Sequence, residues 1–284
     1  MIIRSSFLVL LGLCSASMAA AERQHAFTFY EDYARNSVRP IPESHILTRR
    51  RVWRQIDLKE KQNKPMFANQ NEITKCIIEG VRTGALTAYR DEECTKKLSK
   101  ADFLRNLQMP GAHASPNDTA AAAMQTSGFE GSSWGSDVKN ASYNAEDESF
   151  LPSQITTLRI VEDQIFDKVA AREVQDIQTV VMIIPADKFE TGISRDVACF
   201  SYKELAGYLD KEKFEWVNEK NSAANMLLTE ALDMRLFNSR IIMIENPEGK
   251  QLADIYNGSN QEALIEAQKL EQKLLAEDDA RWAY

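Results

Sequence analysis

Apolar and polar positions follow two different periods along this chain, and the change falls near residue 153. The first part reads as helical. Between Arg50 and Gln62, Trp53 and Ile56 lie three apart while Arg50, Arg51, Arg54 and Lys61 project elsewhere, which predicts an amphipathic helix stopped by Asn63-Lys64-Pro65. Ile73, Ile77, Ile78 and Val81 recur at three and four, predicting a second helix capped by Asn71 and ended by Gly84, with a short strand over 85–89 behind it. Ser99-Lys100-Ala101-Asp102 has capping-box form ahead of Phe103, Leu104 and Leu107, so a third helix is expected there.

Beyond Ser153 the spacing becomes that of strands. Residues 155–167 and 174–184 alternate or run continuously apolar around the polar turn Ala171-Arg172-Glu173, predicting a long antiparallel hairpin. A strand into Phe200 precedes a helix over 203–210 with Ser201 as its cap. Ser222 opens a second helix carrying Met226, Leu227, Ala231 and Met234, and 237–245 returns as a strand closed by the turn Asn246-Pro247-Glu248-Gly249. The chain ends in a helix over 261–282 with Leu264, Ala267, Leu270 and Leu274 as its apolar stripe.

Between the two parts, residues 108–153 are rich in Ala, Ser, Gly and Asn and show little periodicity, the composition of a linker. The fold class is therefore α+β. A small, mainly helical N-terminal region (22–107) is joined by a flexible linker (108–153) to a C-terminal antiparallel sheet with helices (154–284). Residues 1–21 have the positive start, apolar core and small-residue exit of a secretory signal, so the mature chain is expected to begin at Glu22 outside the cytoplasm.

Charge sharpens this division. Residues 22–107 carry 17 basic against 12 acidic side chains, and residues 154–284 carry 15 against 24. Such opposition suits attraction between neighbouring copies or to a charged partner. Without the leader, Cys76, Cys94 and Cys199 are left. In an oxidising compartment Cys76 and Cys94, the pair nearest in sequence, are candidates for a disulfide; the apolar run around Cys76 equally suits a buried, inert thiol.

The stretch Arg50-Arg-Val-Trp-Arg-Gln-Ile-Asp-Leu-Lys-Glu-Lys-Gln-Asn-Lys-Pro65 resembles the signature of the GldN/PorN family of gliding-motility and type IX secretion proteins. Thr157 to Lys168, Val180 to Pro185 and the acidic, Trp-bearing end Asp278 to Tyr284 are similar to further parts of that family, although Ile165 stands where an aromatic residue is expected. The resemblance implies a periplasmic, non-enzymatic component associated with the inner face of the outer membrane. Its implied partners are a GldK/PorK-like outer-membrane lipoprotein in a ring, further copies of itself, and the periplasmic part of a GldM/PorM-like motor protein. Arg50, Arg51, Trp53, Arg54, Trp282 and Tyr284 are the candidate interface residues, since Arg and amphipathic aromatics most often anchor interfaces.

Two competing readings remain at this level. Gly131-Ser132-Ser133-Trp134-Gly135 matches the Gly-x-Ser-x-Gly elbow of hydrolases, with Ser133 as nucleophile. However, its flanks are low-complexity, and His25, His45 and His113 all precede it, whereas the hydrolase order puts the histidine downstream. The arginines at 49–54 also suit anionic lipid headgroups. Isolated histidines, no Cys-x-x-Cys and no phosphate-binding loop lead us to expect no catalytic residue, metal or cofactor, and export argues against nucleic acid.

Overall fold

The computed structural model describes residues 34–109, 149–256 and 260–282. Its centre is a five-stranded antiparallel sheet made of β1 (Ile46–Asp57), β4 (Thr157–Asp167), β5 (Arg172–Ile184), β6 (Arg195–Ser201) and β9 (Arg240–Ile244), in the order β6-β5-β4-β1-β9. Two-residue pairings, β2 (Phe67–Ala68) with β3 (Asn71–Glu72) and β7 (Glu215–Trp216) with β8 (Met226–Leu227), sit outside it. The helices are α1 (Ile73–Thr83), α2 (Lys100–Asn106), α3 (Tyr202–Glu212), α4 (Leu228–Asp233), α5 (Leu252–Ile255) and α6 (Asn260–Trp282). The class is α+β.

The signature stretch is a strand, which corrects the helix expected over 50–62. Val52, Arg54 and Ile56 are buried at every second position, the period of a pleated strand. The helical reading relied on Trp53 and Ile56 sharing a face and on all the arginines facing water. In the fold Trp53 and Ile56 point to opposite faces and Arg54 points inward. β1 pairs along its length with β4, from Ile46 opposite Asp167 to Asp57 opposite Thr157, and through Val52 to Gln55 with β9. A segment from before residue 108 thus lies between strands from beyond residue 153.

Elsewhere the periodicities hold in outline. α1 ends at Gly84, whose φ of 77° only glycine adopts without strain; its first residue follows Glu72, and Asn71 belongs to β3. The Ser99 side chain accepts from the Asp102 amide to cap α2. The hairpin β4–β5 turns through Ala171 at φ 47°. Residues 85–89 make only isolated bridges, Tyr89 with Lys97 and with Cys199. Met226 and Leu227 lie in β8, so the helix expected from Ser222 shrinks to α4. Among residues 108–153, only 108–109 and 149–153 are described; the leader and Ser133 lie outside the described residues.

One sheet face and helices α1 to α4 enclose the main core, which includes Ile56, Ile77, Phe103, Ile160, Met182, Phe200 and Leu205. A second, smaller cluster of Val52, Ile241, Leu252, Ala267 and Leu274 seats α6 near the β1–β9 edge. Val181, Ile183 and Cys199 face the other way from Val180, Met182 and Phe200, and pack with Tyr89 and Cys94. No described helix is long and apolar enough to cross a membrane.

Candidate functional site

β1 is the element to which the candidate residues converge, and its two faces do different things. On the inner face the Arg54 side chain, 5% exposed, donates from Nε to a Glu162 Oε at 2.6 Å and from a terminal nitrogen to Glu271 of α6 at 2.9 Å. Glu162 has no exposed side-chain surface and also accepts from Arg235 at 2.7 Å. Burial opposes the charge on Arg54, but Glu162 and Glu271 outweigh it and raise the pKa above its ordinary value. A buried guanidinium flanked by two carboxylates, one shared with a second arginine, is fully paired and joins β1, β4, α6 and the turn after α4.

The other positions are paired too. Arg51 forms a two-point contact with Asp163, at 2.8 and 3.2 Å, and this hydrogen bonding raises its pKa despite partial burial. On the same face as Arg54, Arg50 reaches Glu277 of α6 at 3.1 Å, and Arg281 at the helix end reaches Glu173 of β5 at 3.3 Å. The Trp53 indole N–H donates to Glu92 at 2.7 Å, and Glu92 also accepts from Arg159 at 3.0 Å. The loop after Tyr89 is thereby tied down over the sheet face turned away from the main core.

The structure therefore brings Arg50, Arg51, Trp53 and Arg54 together on one strand but gives each an intramolecular partner. Arg54, with its head group enclosed and doubly paired, holds the fold together. The C-terminal end of α6 lies beside this strand; Trp282 is its last residue, with a side chain outside the described set, and Tyr284 falls outside the described residues altogether. Cys76, Cys94 and Cys199 are all buried. Cys76 and Cys94 are not bonded to each other, because α1 puts Cys76 in the main core while Cys94 sits across the sheet from it.

Sequence reasoning missed the acids that complete the network, Glu92, Glu162, Asp163 and Glu271. A signal for two of them was present: Glu162-Asp163 lies mid-strand between the apolar pairs Ile160-Val161 and Ile165-Phe166, and carboxylates are seldom fully buried unless paired. A cleft of about 440 Å³ opens next to Arg54, lined among others by Arg39, Asp176, Asp233, Glu271 and Leu274. Burial pushes the Asp176 carboxyl up to about 6, although the Ser37 hydroxyl and Gln178 amide donate to it at 2.9 and 2.7 Å. Among the described residues, no group of His, Cys, Asp and Glu is arranged to hold a metal ion.

A family model described as gliding motility associated protein GldN matches residues 41–283. The chain belongs to the GldN family. The match spans β1 and α6 alike, so the two elements joined by the Arg54 network fall within one GldN family unit. A search of curated proteins returns no match. Membership makes the protein a component of the gliding-motility and type IX secretion machinery.

Proposed function

We propose that this GldN-family protein is a non-enzymatic structural component in the periplasm, assembled as a ring at the inner face of the outer membrane. Its partners are a GldK/PorK-like lipoprotein, neighbouring copies of itself and the periplasmic part of a GldM/PorM-like motor protein. The observation that carries this reading is the family match across 41–283, from the approach to β1 to the end of α6. The ion-pair network supports it chemically. It spends charged groups on fixing a sheet, a helix and a loop in one shape, as a repeated building block requires, and Arg54 is enclosed between carboxylates rather than open to lipid phosphates.

Partner contact is proposed at the half-exposed positions of β1, Arg50, Arg51 and Trp53, with Trp282 and Tyr284 at the adjoining chain end. The test is to isolate the tagged protein from envelopes of its host and image the particles. Recovery in ring-shaped particles with a lipoprotein is expected, as is loss of secretion on deletion. A monodisperse protein recovered alone, from a host whose secretion survives the deletion, would overturn the proposal.

A further inference from the structure

The three described cysteines, all buried, fall on two sides of the sheet, and two of them share a small cluster of five side chains: Tyr89, Cys94, Val181, Ile183 and Cys199. The placement follows from register. Cys199 on the edge strand β6 is directly opposite Val181 of β5, and Ile183 lies two residues along on the same face. Tyr89 is locked to Cys199 by a pair of backbone hydrogen bonds, its N–H to the Cys199 carbonyl at 2.8 Å and the Cys199 N–H to its own carbonyl at 2.9 Å. From Tyr89 the chain loops out and returns, with the Arg90 amide bonded to the Lys96 carbonyl. Within that loop Cys94 turns back through a left-handed φ of 55°, which leaves it only 4% exposed, beside a Cys199 that is 3% exposed.

We propose that Cys94 and Cys199 form a disulfide in the protein outside the cytoplasm, with Cys76 remaining a thiol. The oxidant is a disulfide of the exchange-active class, a small-molecule or enzyme-borne RSSR. One cysteine thiolate attacks RSSR to give a mixed disulfide and RS⁻. The second thiolate then displaces the other RS⁻, so two thiols lose two protons and two electrons and RSSR becomes two RSH. Burial raises the Cys199 thiol to about 12 and Cys94 higher still, which makes both poor nucleophiles once enclosed. The bond therefore forms while the loop is open, before the cluster closes.

The cross-link fixes the loop carrying Glu92 to the edge strand β6. Glu92 is the acceptor for both Trp53 and Arg159, so the bond anchors the outer face of the signature strand. It also closes a loop of about a hundred residues, the long-loop case in which a cross-link restricts the unfolded chain most.

The experiment uses the full-length product recovered from its native envelope fraction, with free thiols blocked by alkylation at lysis and peptides mapped without reductant. A linked peptide pair containing Cys94 and Cys199, with the alkyl label on Cys76, is the expected result. Thermal unfolding supplies the second readout. Reductant lowers the Tm of the wild type and of Cys76→Ser by several degrees and leaves Cys199→Ser unmoved. Alkyl label on Cys94 and Cys199 in the unreduced wild type, or a link from either of them to Cys76, would overturn the proposal.

Discussion

Replacing Arg54 with alanine probes the reasoning most directly, because the network around it makes a quantitative claim. The substitution leaves Glu162, which has no exposed side-chain surface, with only Arg235 as a cationic partner, and Arg235 is itself 26% exposed. Breaking a buried pair by removing one partner costs about 3–5 kcal/mol, since the abandoned charge stays desolvated. The surviving Arg235 contact puts Arg54→Ala near the lower end, at about 3 kcal/mol. The lost contact to Glu271, which is 41% exposed, adds less than about 1 kcal/mol. For a domain of this size that corresponds to a fall in Tm of about 6–12 °C. Urea unfolding followed by far-ultraviolet circular dichroism measures the change. Arg50→Ala is the control: its pair with Glu277 keeps about a third of each side chain exposed, 38% and 33%, and is worth at most about 1 kcal/mol. The double variant Arg54→Met/Glu162→Leu removes both buried charges together and regains much of the loss. If Arg54→Ala costs no more than Arg50→Ala, the inward-facing pair is not the structural element argued here.

Other expected outcomes follow from single contacts. Trp53→Phe keeps a ring but deletes the N–H that Glu92 accepts at 2.7 Å, a hydrogen bond to a charged group worth about 1.5–3 kcal/mol, read by the same urea titration. Gly80→Ala in α1 would bring a Cβ to 2.8 Å from the Tyr208 ring and 3.1 Å from Leu86, so overpacking of about 1–3 kcal/mol is expected. Gly207→Ala in α3 meets nothing within 4 Å and should stabilise by about 0.5–1 kcal/mol, giving two substitutions of one type with opposite signs. Asp176, with its carboxyl raised by burial to about 6, is more protonated folded than unfolded between roughly pH 4 and 6. Stability at this site therefore declines as pH rises through that window. Asp176→Asn should exceed the wild type in stability at pH 7 and lose that advantage progressively as pH falls from about 6 to about 4, as unfolding curves across pH will show.

How much of this was readable in the residues depends on which side chains answer to local rules. Helices whose face meets the main core, such as α1 with Ile73, Ile77 and Val81, carry a clear period, and α2 shows its serine cap in the sequence. The hairpin β4–β5 is legible because both strands are buried and close around a polar turn. β1 was misread because an inward-facing arginine looks in sequence like an outward-facing one. Only Glu162, more than a hundred residues on, makes Arg54 compatible with burial. A comparable distance hid Cys199 from Cys94, and even 39 residues were enough to hide Glu92 from Trp53. Separations of this kind are set by sheet register, which local patterning does not encode.

That register also gives a different meaning to the opposed charge of the chain's two parts. Arg39 pairs with Asp233, Arg50 with Glu277, Arg51 with Asp163 and Arg54 with Glu162 and Glu271, each joining a basic residue before 108 to an acidic one beyond 153. A polarity that suits attraction between separate molecules is here satisfied in part within one. Part of it lies under α6, which is seated by a small apolar cluster and by ion pairs to Arg50, Arg54 and Glu173. Exposed pairs contribute about 0.2–1 kcal/mol each and weaken with salt. Glu271→Gln with Glu277→Gln should therefore loosen α6 by roughly 1 kcal/mol, speeding amide exchange along the helix about fivefold while the β4–β5 amides stay unchanged. Added salt should move the wild type in the same direction and the double variant less. Equal protection of α6 in both proteins at every ionic strength would mean that the apolar seat alone holds the helix, and that the charge division along the chain has its use between molecules after all.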